Sequence, residues 1–286
     1  MIVAIIGGAG RMGSWFARYF LKHGCEVLIS DLNVDRAELI AKSLGVRMVK
    51  SNVEAASIAD LTLVSAPIDV TPTILLEIMP YLKEHAIVAE VSSLKSRVLP
   101  ALKRIAERGV KSLSIHPLFG SGARDMVGGK IALIPVIDRV VEEDLTKRIF
   151  PEAEVIVVDC ETHDEVMALT LALTHFINIV FASVVGEEDI RLLRSLGGTT
   201  FTLQLTLSEA VMSENPSLYA SIQMDNECTV KYLDKFMSRA EKLRSIIESK
   251  NFDGFIEFFR LAQGLLSKDE GFAGAYERMY RALESI

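Results

Sequence analysis

MIVAIIGGAGRMG, residues 1–13, decides how this chain of 286 residues is read. Ile2 to Ile6 is a short, β-branched apolar run. It meets a glycine cluster in which Gly8, Gly10 and Gly13 fit G-x-G-x-x-G, and SWFARYFLKHG (14–24) then reads as a helix. The stretch is therefore strand, tight turn and helix start. Residues without Cβ let the backbone approach a pyrophosphate, whose charge rests on N–H groups at the helix N-terminus. A second apolar run, 27–29, leads to Asp31, about 20 residues on, where a carboxylate can hydrogen-bond a ribose 2′-hydroxyl. Gly8, Gly10, Arg11, Met12, Gly13 and Asp31 are thus assigned to a dinucleotide.

Outward from this stretch, apolar runs at 61–67, 85–91, 112–115, 130–136 and 154–158 alternate with helical patterns at 34–45, 71–82 and 94–108. The last of these helices carries an unfavourable Pro100. Strand–helix alternation at this spacing predicts an α/β fold, a doubly wound, mostly parallel sheet. Near Cys160 the pattern changes. From Thr162 onward only helix periodicity is found, beginning with the capping-box pattern Thr162-x-x-Glu165. Asn215-Pro216 opens a long helix over 217–250, and 252–266 and 272–283 complete an all-helical half. Two domains are expected, 1–160 and 161–286. The run 169–185 approaches membrane-span length but contains His175 and Asn178 and lacks a basic flank, so it reads as a buried helix. It is apolar nearly all round, which demands cover on every side and predicts a homodimer through the helical half.

Half of the residues are apolar, enough for a sizeable core, and the formal net charge is -7. That balance argues against nucleic-acid and anionic-membrane partners, which need a basic footprint, and leaves a small-molecule ligand held by local cations. Cys25, Cys160 and Cys228 are scattered, with no C-x-x-C pair. Neither a disulfide framework nor a metal site is suggested, and a reducing cytoplasm fits best. The first residues already belong to a strand, so no signal peptide is read there.

Ligands of open α/β sheets bind outside the carboxyl ends of the strands. Four such ends carry the informative residues: 8–13, Ser65-Ala66-Pro67, Ser92-Ser93-Leu94-Lys95 and His116-Pro117-Leu118-Phe119-Gly120. Ala66, Pro67 and Ser92 join the cofactor set by this placement. His116 is the strongest catalytic candidate, since a neutral imidazole can accept a hydrogen bond from a hydroxyl undergoing oxidation. A strand-end histidine bonded to backbone is the alternative. Ser93 and Lys95 read by type as a helix cap and a solvated lysine, but beside a histidine and a dinucleotide they suit hydride transfer on a carboxylate substrate. His175 reads as a core histidine, and His163, at a helix start, as exposed.

Together these motifs resemble the prephenate dehydrogenase family of tyrosine biosynthesis, in character closest to the dehydrogenase portion of the chorismate mutase–prephenate dehydrogenase type. The likeness spans nearly the whole chain and rests on GGAGRMG (7–13), EVSSLKS (90–96), IHPLFG (115–120), HDEVMALTLALTHFINIVFAS (163–183) and SENPSLYASIQMDN (213–226). It implies a Rossmann-type domain followed by an all-helical dimerisation domain. The implied reaction is NAD- or NADP-dependent oxidative decarboxylation of prephenate to 4-hydroxyphenylpyruvate. His116 would bond the ring hydroxyl and Ser93 would assist it. Lys95 would contact substrate, and His175 would approach the same pocket from the helical half. One departure stands out: Ala210, beside Glu209, occupies the place of a family arginine that grips a substrate carboxylate. Arg124 is the first choice to replace it, ahead of Arg97, Arg191 and Arg194. Asp31 favours NAD over NADP, since a carboxylate repels a 2′-phosphate. The alternatives are an arogenate dehydrogenase, another two-domain dehydrogenase or reductase, and a catalytically silent NAD-binding regulator.

Overall fold

The computed structural model describes residues 1–284; Ser285 and Ile286, the end of the expected second domain, lie outside them. The chain divides into two compact units, Met1–Met167 and Ala168–Ile286. In the first unit the strands are β1 (Ile2–Ile6), β2 (Glu26–Ser30), β3 (Arg47–Met48), β4 (Leu61–Val64), β5 (Ile87–Glu90), β6 (Lys111–Pro117), β7 (Lys130–Ile134) and β8 (Glu154–Val157). They form one sheet in the order β3-β2-β1-β4-β5-β6-β7-β8. Only the β6–β7 pair is antiparallel. The strand order reverses between β1 and β4, which is the switch point where such sheets open a ligand crevice.

Both sheet faces are covered, and this explains why the strand sequences are apolar without alternation. Val3 and Ile5 face a core with Trp15, Phe16, Phe20 and Phe150. Ile6 faces the opposite core with Val64, Leu75, Val88 and Leu102. Three expectations are corrected. The two-residue β3 carries no apolar run long enough to read. The helix expected from 94 begins only at Leu99, so Pro100 lies in its first turn, where a missing N–H costs nothing. The helix of the expected capping box starts at Cys160, and Asp159, not Thr162, caps it by accepting the Thr162 amide at 2.9 Å.

In the second unit the helices are Thr174–Val185, Ile190–Leu196, Thr199–Met212, Pro216–Met224, Thr229–Glu248, Phe252–Leu266 and Ala275–Leu283, preceded by a wide π-helical stretch, Ala168–Leu173. The single long helix expected after Pro216 is broken at Asp225–Cys228, where Asn226 Oδ1 accepts the Cys228 amide at 2.9 Å. Asn178 is buried and ties Thr174–Val185 to Thr199–Met212, accepting from Gln204 Nε2 at 3.0 Å and Ser208 Oγ at 2.9 Å. Within the single chain the apolar run is largely uncovered. Only 17% of its most apolar window is buried within the chain, and Val180 and Val184 are exposed. By length and composition alone, Cys160–Val185 could cross a membrane.

The sequence reading places the domain boundary at 160/161, and the compact units divide at 167/168. The helix Cys160–Met167 is held to the first unit by side chains that reach β6 and the segment after β5.

Candidate active site

The glycine turn is built by close approaches that exclude side chains. Gly7, which the motif count passed over, has φ +80°, and a Cβ there would lie 2.3 Å from Ser65 O, so it brings the ends of β1 and β4 together. A Cβ on Gly13 would lie 2.1 Å from Gly7 O, so the helix Arg11–Lys22 can pack on β1 only with glycine there. That helix starts at Gly10 with no side-chain cap and no acidic residue in its first turn. Asp31 directs Oδ2 to the Ala9 amide at 3.0 Å and Oδ1 to the Asn33 amide at 2.9 Å. Each carboxylate oxygen keeps a further lone pair for a ribose hydroxyl. Ala66 and Pro67 follow β4 beside this turn. Ser92 Oγ, after β5, is buried with no partner among the described residues. A bare helix start, a glycine cradle and an oriented carboxylate fit a dinucleotide.

His116 lies inside β6, paired with Ala132, rather than in the loop beyond it. Its side chain makes no backbone bond. His116 Nδ1 lies 3.0 Å from His163 Nε2, and His163 Nδ1 lies 2.7 Å from Asp164 Oδ1. His163, expected to be exposed, is 2% exposed. Asp164 also accepts the backbone amides of Lys95, at 3.0 and 3.3 Å, and Ser96, at 2.9 Å. Burial works to raise the Asp164 pKa, but the bonds from His163, Ser96 and Lys95 outweigh it and hold the carboxyl below its usual value. Burial, then the charge of Lys95 and the neighbouring His163, hold His116 well below the usual 6.5, so the ring is neutral. No described residue takes His116 Nε2.

Lys95 is not where the family likeness puts it. Its side chain is wholly buried, with Nζ 2.8 Å from Glu90 Oε1 and 2.6 Å from the Ile115 carbonyl, so two of its three N–H donors are taken inside the fold. Burial lowers its pKa against the attraction of Glu90. Glu90 is further satisfied by Ser114 Oγ at 2.6 Å and the Ser92 amide at 2.7 Å. Ser93 is half-buried. Arg124 is also displaced from expectation. It lines a cavity of about 130 Å³ with Trp15, Arg18, Tyr19 and Lys22, to which neither His116 nor the glycine turn contributes. Arg194 pairs with Glu209. In the second unit, His175 sets its ring edge against Tyr219, with centroids 4.7 Å apart, and its Nδ1 is buried without a partner among the described residues.

The His163–Asp164 pair escaped the sequence reading. Its one signal was a histidine and an acid placed side by side at a helix start.

Fold and site define the class: two-unit proteins with a dinucleotide-binding sheet and a helical second unit. The family model for the prephenate dehydrogenase nucleotide-binding domain matches residues 16–133, and that for its dimerization domain matches 159–261. The chain belongs to the prephenate dehydrogenase family. It is 27% identical to the probable arogenate/prephenate dehydrogenase of Methanocaldococcus jannaschii, over 92% of this chain and 60% of that protein. It is 26% identical to the T-protein of Haemophilus influenzae, over 90% of this chain and 65% of that protein. The chain therefore spans less than two thirds of these relatives. The prephenate dehydrogenase of Aquifex aeolicus, solved with hydroxyphenyl propionate and NAD+, shares the fold with a TM-score of 0.75 at 20% identity, covering 94% of this chain and 98% of that one.

Proposed function

We propose that this chain is an NAD-dependent dehydrogenase that oxidises and decarboxylates prephenate to 4-hydroxyphenylpyruvate, acting as a homodimer through its helical unit. The observation that carries the reading is His116, a neutral and buried imidazole whose Nε2 is open while its Nδ1 is held. A nicotinamide dinucleotide held by the glycine turn and Asp31 would supply the acceptor for the hydride that leaves the ring carbon bearing the hydroxyl. His116 accepts that hydroxyl's hydrogen bond, which stabilises positive charge developing on the oxygen as hydride leaves. Loss of carbon dioxide returns an electron pair to the ring and aromatises it, so the oxygen ends as a phenol and no net proton is released. The protein's task is alignment and a matched acceptor.

The glycine turn, the first turn of Arg11–Lys22 and Asp31 hold the cofactor, and the Asp31 carboxylate favours NAD over NADP. Ser93 assists the substrate hydroxyl. Lys95 acts through Glu90 and the β6 backbone. The family likeness gives His175 a substrate contact, and its unpartnered Nδ1 leaves that ring a hydrogen bond to make. Dimerisation is supported by the family's dimerization-domain match and by the uncovered apolar helix Thr174–Val185. Arogenate is the second reading, favoured by the name of the Methanocaldococcus relative, which covers both substrates.

The test is NADH formation from NAD with prephenate or arogenate, repeated with His116→Asn. Turnover that falls roughly 10²–10⁴-fold in the variant, the usual worth of a general acid–base group, with NAD affinity intact, supports the reading. An unchanged rate removes His116 from the mechanism.

A further inference from the structure

The hydrogen bonds around His116 run in one direction only. Asp164 is ionised, so it can accept but not donate. The amides of Lys95 and Ser96 already point at its two oxygens. His163 Nδ1, 2.7 Å from Oδ1, must therefore donate. A His163 ring that carries one proton holds it on Nδ1, which makes Nε2 a bare lone pair. His116 Nδ1, 3.0 Å away, must then donate in turn, which leaves the lone pair of His116 on Nε2. With His163 only 2% exposed, solvent offers that ring no alternative partner.

We infer that His163 and Asp164 are positioning residues that lock His116 in the tautomer with Nε2 free to accept the substrate hydroxyl's hydrogen bond. The inference deepens the dehydrogenase reading and rests on it for its catalytic consequence. The lock itself belongs to this chain's geometry. It also ties His116 to the segment after β5, because the amides that orient Asp164 belong to Lys95 and Ser96.

Asp164→Asn tests the direction of the chain without changing its shape. Asparagine has a single acceptor oxygen, which the Lys95 and Ser96 amides claim, so its NH2 faces His163 Nδ1 and donates. Every bond then reverses: His163 carries its proton on Nε2, and so does His116. Nitrogen-15 NMR of histidine-labelled protein reads the tautomers directly, whether or not the enzyme turns over. The expected result is Nδ1–H on both rings in the native chain and Nε2–H on both in Asp164→Asn. Turnover should fall roughly 10²–10⁴-fold in that variant, with NAD affinity unchanged. His163→Gln, whose amide oxygen can still accept from His116, should turn over about ten-fold or more faster than His163→Met, which cannot. Nε2–H on His116 in the native protein overturns the inference. So does an Asp164→Asn chain that keeps Nδ1–H, or equal turnover in the two His163 variants. A native chain with Nδ1–H on both rings but no turnover on either substrate retains the lock and sinks the dehydrogenase reading instead.

Discussion

Lys95 Nζ lies 2.8 Å from Glu90 Oε1 with both side chains at 0% exposure, so one ion pair with no contact to solvent stands directly behind β6. Such a pair repays its desolvation only when further hydrogen bonds support both charges, as the Ile115 carbonyl does for Lys95 and Ser114 and the Ser92 amide do for Glu90. Removing one partner strands the other charge. Lys95→Met is expected to cost about 3–5 kcal/mol of stability. Glu90→Gln/Lys95→Met should cost less than Lys95→Met alone, because glutamine carries no charge, can still accept from the Ser92 amide and can donate to Ser114 Oγ. Urea denaturation of the single and double variants measures both. A loss below about 1 kcal/mol in Lys95→Met would mean that the pair is not the strut the geometry describes.

The lowered pKa of His116 gives the pH dependence a definite sign. The ring must be neutral to accept, and burial and Lys95 hold its protonation well below 6.5. The kcat/KM profile should therefore stay flat from neutral pH down past 6.5 and fall only at more acid pH. Stability follows the same sign. The unfolded chain protonates this histidine first, so stability is lost as pH drops through 6.5, and Asp164 adds a further loss only below its own usual 3.8. An acid limb at or above 6.5 would contradict a buried neutral acceptor.

The sheet was legible because strands buried on both faces write themselves as unbroken apolar runs, and because Gly8, Gly10, Gly13 and Asp31 keep the spacing a dinucleotide turn requires. His116 was legible as a strand-end polar residue. His163 was not: its partner lies 47 positions away, and nothing local marks a helix-start histidine as buried. Lys95 was misread for the same reason. A lysine after a strand looks solvated until the carboxylate of Glu90 is known to lie behind it. The break at Asn226 was hidden because apolar spacing runs on across it, while the side chain that caps the interruption, accepting the Cys228 amide, leaves no periodic signal.

Gly13 should be the least replaceable glycine of the turn. An added Cβ would lie 2.1 Å from Gly7 O, a backbone atom that can move only by lifting the helix Arg11–Lys22 off the sheet. Gly13→Ala is expected to abolish measurable NAD binding and to lower stability. Gly122→Ala, where a Cβ meets nothing within 4 Å, should leave both unchanged. Titration of NAD by protein fluorescence, with thermal melts alongside, checks the pair. Normal binding in Gly13→Ala would show that the turn does not hold the pyrophosphate.

The apolar helix Thr174–Val185 offers the sharpest test of assembly. Val180 and Val184 stand one turn apart and are 44% and 63% exposed in the single chain. Placing glutamate at an exposed site of a monomer typically changes stability by no more than about 0.5 kcal/mol. Across a closed two-fold interface each substitution acts twice, burying charges without partners at a penalty of several kcal/mol per ion. Val180→Glu/Val184→Glu should therefore convert a dimer to a folded monomer. Light scattering on the eluting peak gives the mass, and circular dichroism shows that the helices persist. A doubly substituted chain that still elutes as a dimer would place the interface on another face of the helical unit. A native chain that is monomeric throughout would leave the uncovered valines without the partner proposed for them.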